Sequence, residues 1–297
     1  MTAGSYLYYP GCSQKATARG YEESLLAVAS TLGIELKEIP DWNCCGATAV
    51  IAVNKVLSQA LAARNLALAE PLGQTVVTPC PSCSLCLNKA NHVLEEGGPL
   101  AEKVTSALEA GGLSYRGKVR VRHLLDVLIN DVGTEEIKSK VKSPLAGVRI
   151  APYYGCQIVR PMCEGDSADA PQNLEQLIGA VGGEPASFPL ATACCGGALA
   201  VTRADLGQKM CTDILRSIKA AEAQLVVTPC SLCQVTLDMA QTRSKKLLGE
   251  RMRLPIVTPS QLIGLALGLT PKQLGLNRLL TPKKCLRALA KGDTQAA

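Results

Sequence analysis

Ten cysteines fall into two matching sets. The first is Cys12, the adjacent pair Cys44-Cys45, and Cys80 with Cys83; the second is Cys156, the pair Cys194-Cys195, and Cys230 with Cys233. The pairs and the Cys-x-x-Cys motifs recur at a shift of 150 residues, and the single cysteine at a shift of 144. Val76-Val77-Thr78-Pro79-Cys80 returns letter for letter as Val226-Val227-Thr228-Pro229-Cys230. A cubane iron–sulfur cluster or a structural zinc site takes four thiolates, one fewer than each set offers. The two thiolates of an adjacent pair point in different directions. They chelate a single zinc poorly but can reach two irons or bridge them. Five ligands with an adjacent pair therefore favour an iron–sulfur cluster of unusual nuclearity or geometry. Glycines before the single cysteines (Gly11, Gly155) and after the pairs (Gly46, Gly196) let backbone approach an inorganic core closely.

Other uses of the thiols fit less well. A thioredoxin-like dithiol at Cys80/Cys83 or Cys230/Cys233 leaves both adjacent pairs without purpose. Fourteen cysteines also raise a secreted disulfide framework. Met1 to Tyr9, however, shows neither a charged nor an apolar leader region. Domains of this size also have no need of disulfides to compensate for thin cores. A reducing cytoplasm with metal-bound thiolates is the expectation. The longest apolar run, Leu262 to Leu269, is too short to span a bilayer, so membrane association is expected only through a partner. A net charge of +6 is spread along the chain without a basic stripe interleaved with aromatics, which argues against nucleic acid as a partner.

Several residues stand outside the ten. Cys86 extends the first motif and reads as a buried thiol on the ensuing helix, with no counterpart in the second set. Cys163, Cys211 and Cys285 read as small core or surface thiols. His92 and His123 fall in stretches read as helical, as ordinary surface or interface residues. Arg160 is a candidate proton donor. Tyr8, Tyr9, Tyr153 and Tyr154 occupy equivalent places and are expected in the sheet core, those nearest the loops shielding a site from water.

The elements that must position the cysteines alternate between strand and helix. Strands are expected at Ser5 to Tyr9, Ile34 to Ile39 and Thr75 to Thr78 in the first half, and at Val148 to Tyr154, Glu184 to Phe188, Leu225 to Thr228 and Ile256-Val257 in the second. Helices are expected from Ala16 to Thr31 with Gly33 as C-cap, from Ala49 to Glu70, toward Glu96, and near 100–110, 120–130 and 135–141. The second half has them at 171–181, 204–223, 234–248 and from Ser260. This alternation argues an α/β fold of two similar domains, each a small, mainly parallel sheet flanked by helices. The expected boundaries are residues 1–143, residues 144–270 and a basic tail, 271–297, read as solvated or as a docking segment. Every cysteine of both sets falls just beyond a strand or in the loop after one. Sites in open α/β sheets lie outside strand C-termini, so each set can converge on one metal site there.

Tyr9-Pro10-Gly11-Cys12, Asp41-Trp42-Asn43-Cys44-Cys45-Gly46, Cys80 with Cys83, Tyr153-Tyr154-Gly155-Cys156, Thr192-Ala193-Cys194-Cys195-Gly196-Gly197 and Cys230 with Cys233 together resemble the HdrB component of heterodisulfide reductase, in the superfamily named for its Cys-Cys-Gly domains. The resemblance runs from about Ser5 to Gly268. It implies two noncubane [4Fe-4S] clusters, one on Cys12, Cys44, Cys45, Cys80 and Cys83, the other on Cys156, Cys194, Cys195, Cys230 and Cys233. It implies an oxidoreductase component that cleaves or forms a disulfide by two one-electron steps, in methanogenesis or sulfur metabolism. Its partners would be the small iron–sulfur protein and the flavin protein of a heterodisulfide reductase-type complex, since the chain carries no flavin or nicotinamide fingerprint of its own. Two other readings stand beside it. One is an electron-transfer or scaffold component that breaks no sulfur bond. The other is a protein with zinc in place of one cluster.

Overall fold

Strands of a parallel sheet covered on both faces are short and continuously apolar, and the Val-Val-Thr repeats have that character. In the computed structural model, which describes residues 4–162, 166–243, 249, 252–280 and 286, they sit at the centres of two sheets. The first sheet contains β1 (Gly4–Tyr8), β2 (Ile34–Glu38), β3 (Val76–Thr78) and β4 (Val121–His123) in the order β2-β1-β3-β4. The second contains β5 (Arg149–Pro152), β6 (Glu184–Pro185), β7 (Leu225–Val227) and β8 (Ile256–Val257) in the order β6-β5-β7-β8. Every pairing is parallel, and the central registers correspond: Leu7 lies opposite Val76, and Ala151 opposite Val226. The two inner strands of each sheet end where cysteine loops begin, so Cys12 and Cys80 leave one sheet side by side, as Cys156 and Cys230 leave the other.

Three expectations need correction. The helix expected from Ala16 is α1 (Gly11–Lys15) followed by α2 (Arg19–Leu32), which ends at left-handed Gly33 (φ 74°). The long helix expected from Ala49 to Glu70 is broken at Asn54. Its side chain accepts from the Leu57 amide at 3.0 Å and caps α4 (Lys55–Ala69), leaving α3 (Ala49–Val53) as a separate turn of helix. The stretch expected to be helical from Arg120 begins as strand β4, so His123 ends a strand instead of lying in a helix. Its Nδ1 accepts from the Leu125 amide at 3.0 Å and caps α7 (Leu124–Val127). The same place in the second half is taken by Thr258, whose capping box starts α12 (Pro259–Ala266).

The cysteine-bearing helices are α5 (Pro81–Glu96) and α11 (Ser231–Gln241). The second half adds α9 (Asn173–Ala180) and α10 (Ala204–Ala220); α6 (Pro99–Ala110) and α8 (Thr134–Ser139) complete the first. One core runs through both halves, joining Tyr8, Tyr21, Leu25 and Val28 to Val227, Leu262 and Ile263, and α2 packs on α12 within it. Each half also has an outer core that includes its own site cysteines. The tail, read as solvated or as a docking segment, is partly packed where it is described: Leu274 and Leu276 are buried and Arg278 pairs with Glu23 at 2.6 Å, while Lys272, Gln273 and Leu280 are exposed. Cys163, Cys285 and the rest of the tail, apart from Leu286, lie outside the described residues. Among the described residues no helix is long and apolar enough to cross a membrane.

Candidate metal centres

The loop that carries Cys44 and Cys45 is clamped before the thiols are reached. The buried Tyr9 hydroxyl donates to the Asn43 carbonyl at 2.7 Å, and Asn65 on α4 accepts from the Asn43 amide at 2.9 Å. Arg64 donates to the Asp41 carbonyl at 2.7 Å, and the Trp42 ring stands edge-on to Tyr9 with centroids 5.7 Å apart. Gly46 turns the chain at φ 75°, its carbonyl accepting from Ser58 Oγ at 2.9 Å. The second half repeats the main clamp, with the Tyr153 hydroxyl donating to the Ala193 carbonyl at 2.7 Å. Cys80 and Cys230 stand at the N-caps of α5 and α11, where the free amides of the first turn face them: the Cys233 amide points at Cys230 Sγ at 3.5 Å, and the Ser82 and Cys83 amides favour thiolate at Cys80.

The thiols of the first half form a chain of contacts: Cys12 to Cys44 at 4.0 Å, then Cys44 to Cys45, Cys45 to Cys83 and Cys83 to Cys80. The second half gives the same chain in the same order: Cys156 to Cys194, Cys194 to Cys195, Cys195 to Cys233 at 3.3 Å, and Cys233 to Cys230. Amides point at the second set, Gly196 N–H to Cys194 Sγ at 3.3 Å and Gly197 N–H to Cys195 Sγ at 3.4 Å. Glycine is required beside both sets. Gly11 (φ 71°) would place a Cβ 2.8 Å from Cys83 Sγ, and Gly155 (φ 70°) one 3.1 Å from Cys233 Sγ.

Thiols this close cannot all ionise against one another. The hydrogen bond from Cys83 holds Cys80 down at about 7 in spite of burial, while contacts with Cys45 and Cys80 push Cys83 far up. In the second set, hydrogen bonds from Cys156 and Cys195 hold Cys194 well below its ordinary value, and Cys156 is pushed up in return. Five thiolates in one place thus need a cationic core to neutralise them. Among the described residues no group of three or more His, Cys, Asp or Glu side chains is arranged to hold a metal ion. The donors of each half lie along a chain of contacts. Ser231 Oγ, beside Cys230, and the amide of Gln14, two residues after Cys12, are buried without partners. The sulfurs of an iron–sulfur core would be acceptors for such donors. The donor set, the glycine cradles and these orphaned groups all fit an iron–sulfur cluster in each half.

The remaining candidates disperse. Cys86 is buried on α5, as expected, with its thiol against Cys45. Cys211 on α10 donates to the Cys195 carbonyl at 3.0 Å. Arg160 is exposed and donates to the Thr192 carbonyl at 3.3 Å, at the base of the second pair's loop. His92 is exposed on α5 beside Glu96 at 3.2 Å. His123 is buried with Nε2 unpartnered, and burial lowers its pKa to about 4 against the opposing pull of the Pro79 carbonyl and Asp126. Tyr8 and Tyr154 are buried in the sheet core and donate to Glu22 (3.3 Å) and Glu175. Asn65, Ser58 and Tyr21 were not legible as site residues, because each lies inside an ordinary helical pattern far in sequence from the cysteine it supports.

The family model of the cysteine-rich domain, CCG, matches residues 6–88 and 150–238, one match per half. The 8-methylmenaquinol:fumarate reductase membrane anchor subunit of Wolinella succinogenes is 38% identical over 92% of this chain and 95% of its own length. The HdrB-like heterodisulfide reductase protein of Archaeoglobus profundus is 34% identical over 90% of this chain and 92% of its own length. A crystal structure of a hypothetical protein from Helicobacter pylori shares the fold, with a TM-score of 0.71 at 15% identity, over 92% of this chain and 51% of that one. Two CCG matches, each containing one five-thiol set, agree with the likeness to the Archaeoglobus protein over nearly its full length: the chain belongs to the CCG cysteine-rich domain family of HdrB-like heterodisulfide reductase proteins.

Proposed function

We propose that each half holds a noncubane [4Fe-4S] cluster, on Cys12, Cys44, Cys45, Cys80 and Cys83 and on Cys156, Cys194, Cys195, Cys230 and Cys233, and that the chain is the cluster-bearing component of a multisubunit oxidoreductase acting on a disulfide. The observation that carries this is the identical chain of five thiols in the two halves. When bound, the clusters would supply one electron each, so that a disulfide, two electrons and two protons give two thiols, or the reverse. The protein's own part is to fix the cysteine loops through Tyr9 and Tyr153, to exclude water with their rings, and to keep the cores apart on two sheets. Both phenols sit well above the ordinary tyrosine range through burial, and next through the nearby thiols, so they stay protonated donors. Electrons would arrive from an iron–sulfur partner and a flavin partner of the heterodisulfide reductase type, in the cytoplasm.

One observation favours a second reading, transfer of electrons from a quinol pool without sulfur chemistry. Ile51, Val53 and Leu57 after the first pair and Val201 after the second are exposed. Such apolar flanks suit contact with a membrane-bound partner, and a relative carries the name of a membrane anchor. Anaerobic purification with iron, sulfide and zinc analysis tests what the readings share: about eight irons and eight sulfides per chain and no zinc are expected. Zinc alone, with iron loss excluded, overturns both. Turnover of a disulfide by the assembled complex supports the first; quinol oxidation with no disulfide turnover replaces it by the second.

A further inference from the structure

Tyr21 belongs to no cysteine motif. It lies on α2, in the first half, and its side chain is 1% exposed. Its hydroxyl reaches the carbonyl of Pro229 in the second half, a long hydrogen bond of 3.4 Å, and Pro229 immediately precedes Cys230. Besides burial, the groups that act on this phenol are Cys80 of the first site and Cys230 of the second. It therefore stands between the two sites, nearest the Cys-x-x-Cys loop of each. The seam around it is tied by two further contacts. Ser82, inside the first Cys-x-x-Cys, donates to Gln157, the residue after Cys156. Ser24, one turn beyond Tyr21 on α2, pairs with Ser260 at 2.7 Å. The matching carbonyl of the first half, Pro79, is faced by His123 from the same half. The second site is thus held at this carbonyl by a side chain from the opposite half.

We infer that Tyr21 is a positioning residue shared by the two sites: from the first half it holds the Pro229–Cys230 loop of the second and sets the potential of that site. This rests on the reading that each half binds a cluster. In a buried seam an unpaired carbonyl beside an iron–sulfur core keeps its negative end free, and that disfavours adding an electron. The phenol O–H bonded to the Pro229 carbonyl would offset that negative end.

Tyr21→Phe keeps the ring and removes only the hydroxyl. Tyr6→Phe serves as a control, because Tyr6 donates to Asp131 at 2.5 Å in the first half and touches neither site. Both changes are made in the full chain and in a Cys45→Ser background, where the second site is read alone. The readout is an anaerobic redox titration followed by electron paramagnetic resonance, with iron analysis. With Tyr21→Phe, the second site's reduction equilibrium is expected to move at least tenfold toward the oxidised form, about 59 mV lower for a one-electron couple. The first site is expected to move less than threefold. Selective loss of iron from the second half also supports the inference. An unmoved second site with full iron, an equal shift at both sites, iron loss from both, or the same shift from Tyr6→Phe overturns it. A wild-type chain without iron overturns the proposed function and this inference with it; about eight irons with unmoved potentials overturn the inference alone.

Discussion

On the helix that carries Cys80 and Cys83, one further turn brings Cys86 against Cys45; at that turn of the second half stands Thr236, whose hydroxyl donates to the Leu232 carbonyl at 2.6 Å. After the fourth strand the first half places buried His123 and the second places Thr258. After the Cys-Cys pair the first half builds α3, a turn of helix with no buried residue, while the second has only a tight turn before α10. Against these differences, the Tyr9 and Tyr153 clamps, the two left-handed glycines and the order of thiol contacts are the same. The parts that would touch an inorganic core are duplicated, and the parts one layer out have diverged. Hydrogen bonding and charge in that outer layer are what tune a metal centre, so two sites built from the same donors differ in the layer that would set their poise.

The largest effect should come from breaking one site at a time. Cys45→Ser and Cys195→Ser each remove the central thiol of one chain of contacts, and each should lower iron from about eight to about four atoms per chain. Complete loss from either variant would show that the halves do not bind metal independently, and the comparison between them would lose its basis.

The next effect separates the halves by pH. The folded pKa of His123, about 4, lies below its ordinary 6.5, so the unfolded chain binds a proton that the folded chain refuses. Its contribution is fully present above pH 6.5 and is lost as pH falls toward 4. About 1.4 kcal/mol is gone by pH 5.5, and the full loss is about 3 kcal/mol. Thr258 has no such dependence. His123→Asn keeps an acceptor for the Leu125 amide and should flatten this part of the pH dependence of denaturant unfolding. An unchanged slope between pH 7 and 5.5 would assign the sensitivity elsewhere.

Gly11→Ala and Gly155→Ala measure how tightly each cradle fits. Each forces a side chain into the left-handed region, at a cost of about 1–2 kcal/mol. The new Cβ meets Cys83 Sγ at 2.8 Å in the first half and Cys233 Sγ at 3.1 Å in the second. A fall in Tm of about 2–8 °C is expected for each, larger for Gly11→Ala, with slower cluster assembly in the same half. Equal effects would mean that the backbone conformation, not the sulfur contact, sets the cost.

The cysteine sets were legible because repetition marks residues that must converge, and the alternation of strand and helix said where. Fold class and the seven strands expected at 5–9, 34–39, 75–78, 148–154, 184–188, 225–228 and 256–257 follow from that alternation, with ends that differ by a few residues. The eighth, β4, was hidden because three residues with Arg122 in the middle run straight into helical spacing at Leu124. Arg122 is buried there only because Asp126 and Asp131 both pair with it, a tertiary arrangement no local pattern announces. Asn54 did carry a local signal, an N-cap residue before Lys-Val-Leu, but the Ala/Leu-rich run on either side masked it. Tyr21 carried none: its spacing with Leu25 and Val28 is that of any core helix, and its role depends on a carbonyl 208 residues away.

The smallest effect on stability bears on what covers the apolar flanks. Val53 is 86% exposed and Val201 95% exposed, each following the pair of its own half. Exposed substitutions of this kind change stability by no more than about 0.5 kcal/mol, so Val53→Ser and Val201→Ser should leave Tm and iron content where they are. If the flanks meet a partner at the membrane, the variants should lower the fraction of the chain that sediments with membranes of the producing cell, measured alongside wild type. The first half's flank is the larger, since Ile51 and Leu57 stand with Val53, whereas Val201 is separated from Leu206 by Arg203 and Asp205. Val53→Ser should therefore act more strongly than Val201→Ser. Equal loss would make the two flanks one continuous contact, and no loss in either would leave these side chains outside the interface and weaken the quinol-linked reading against disulfide chemistry.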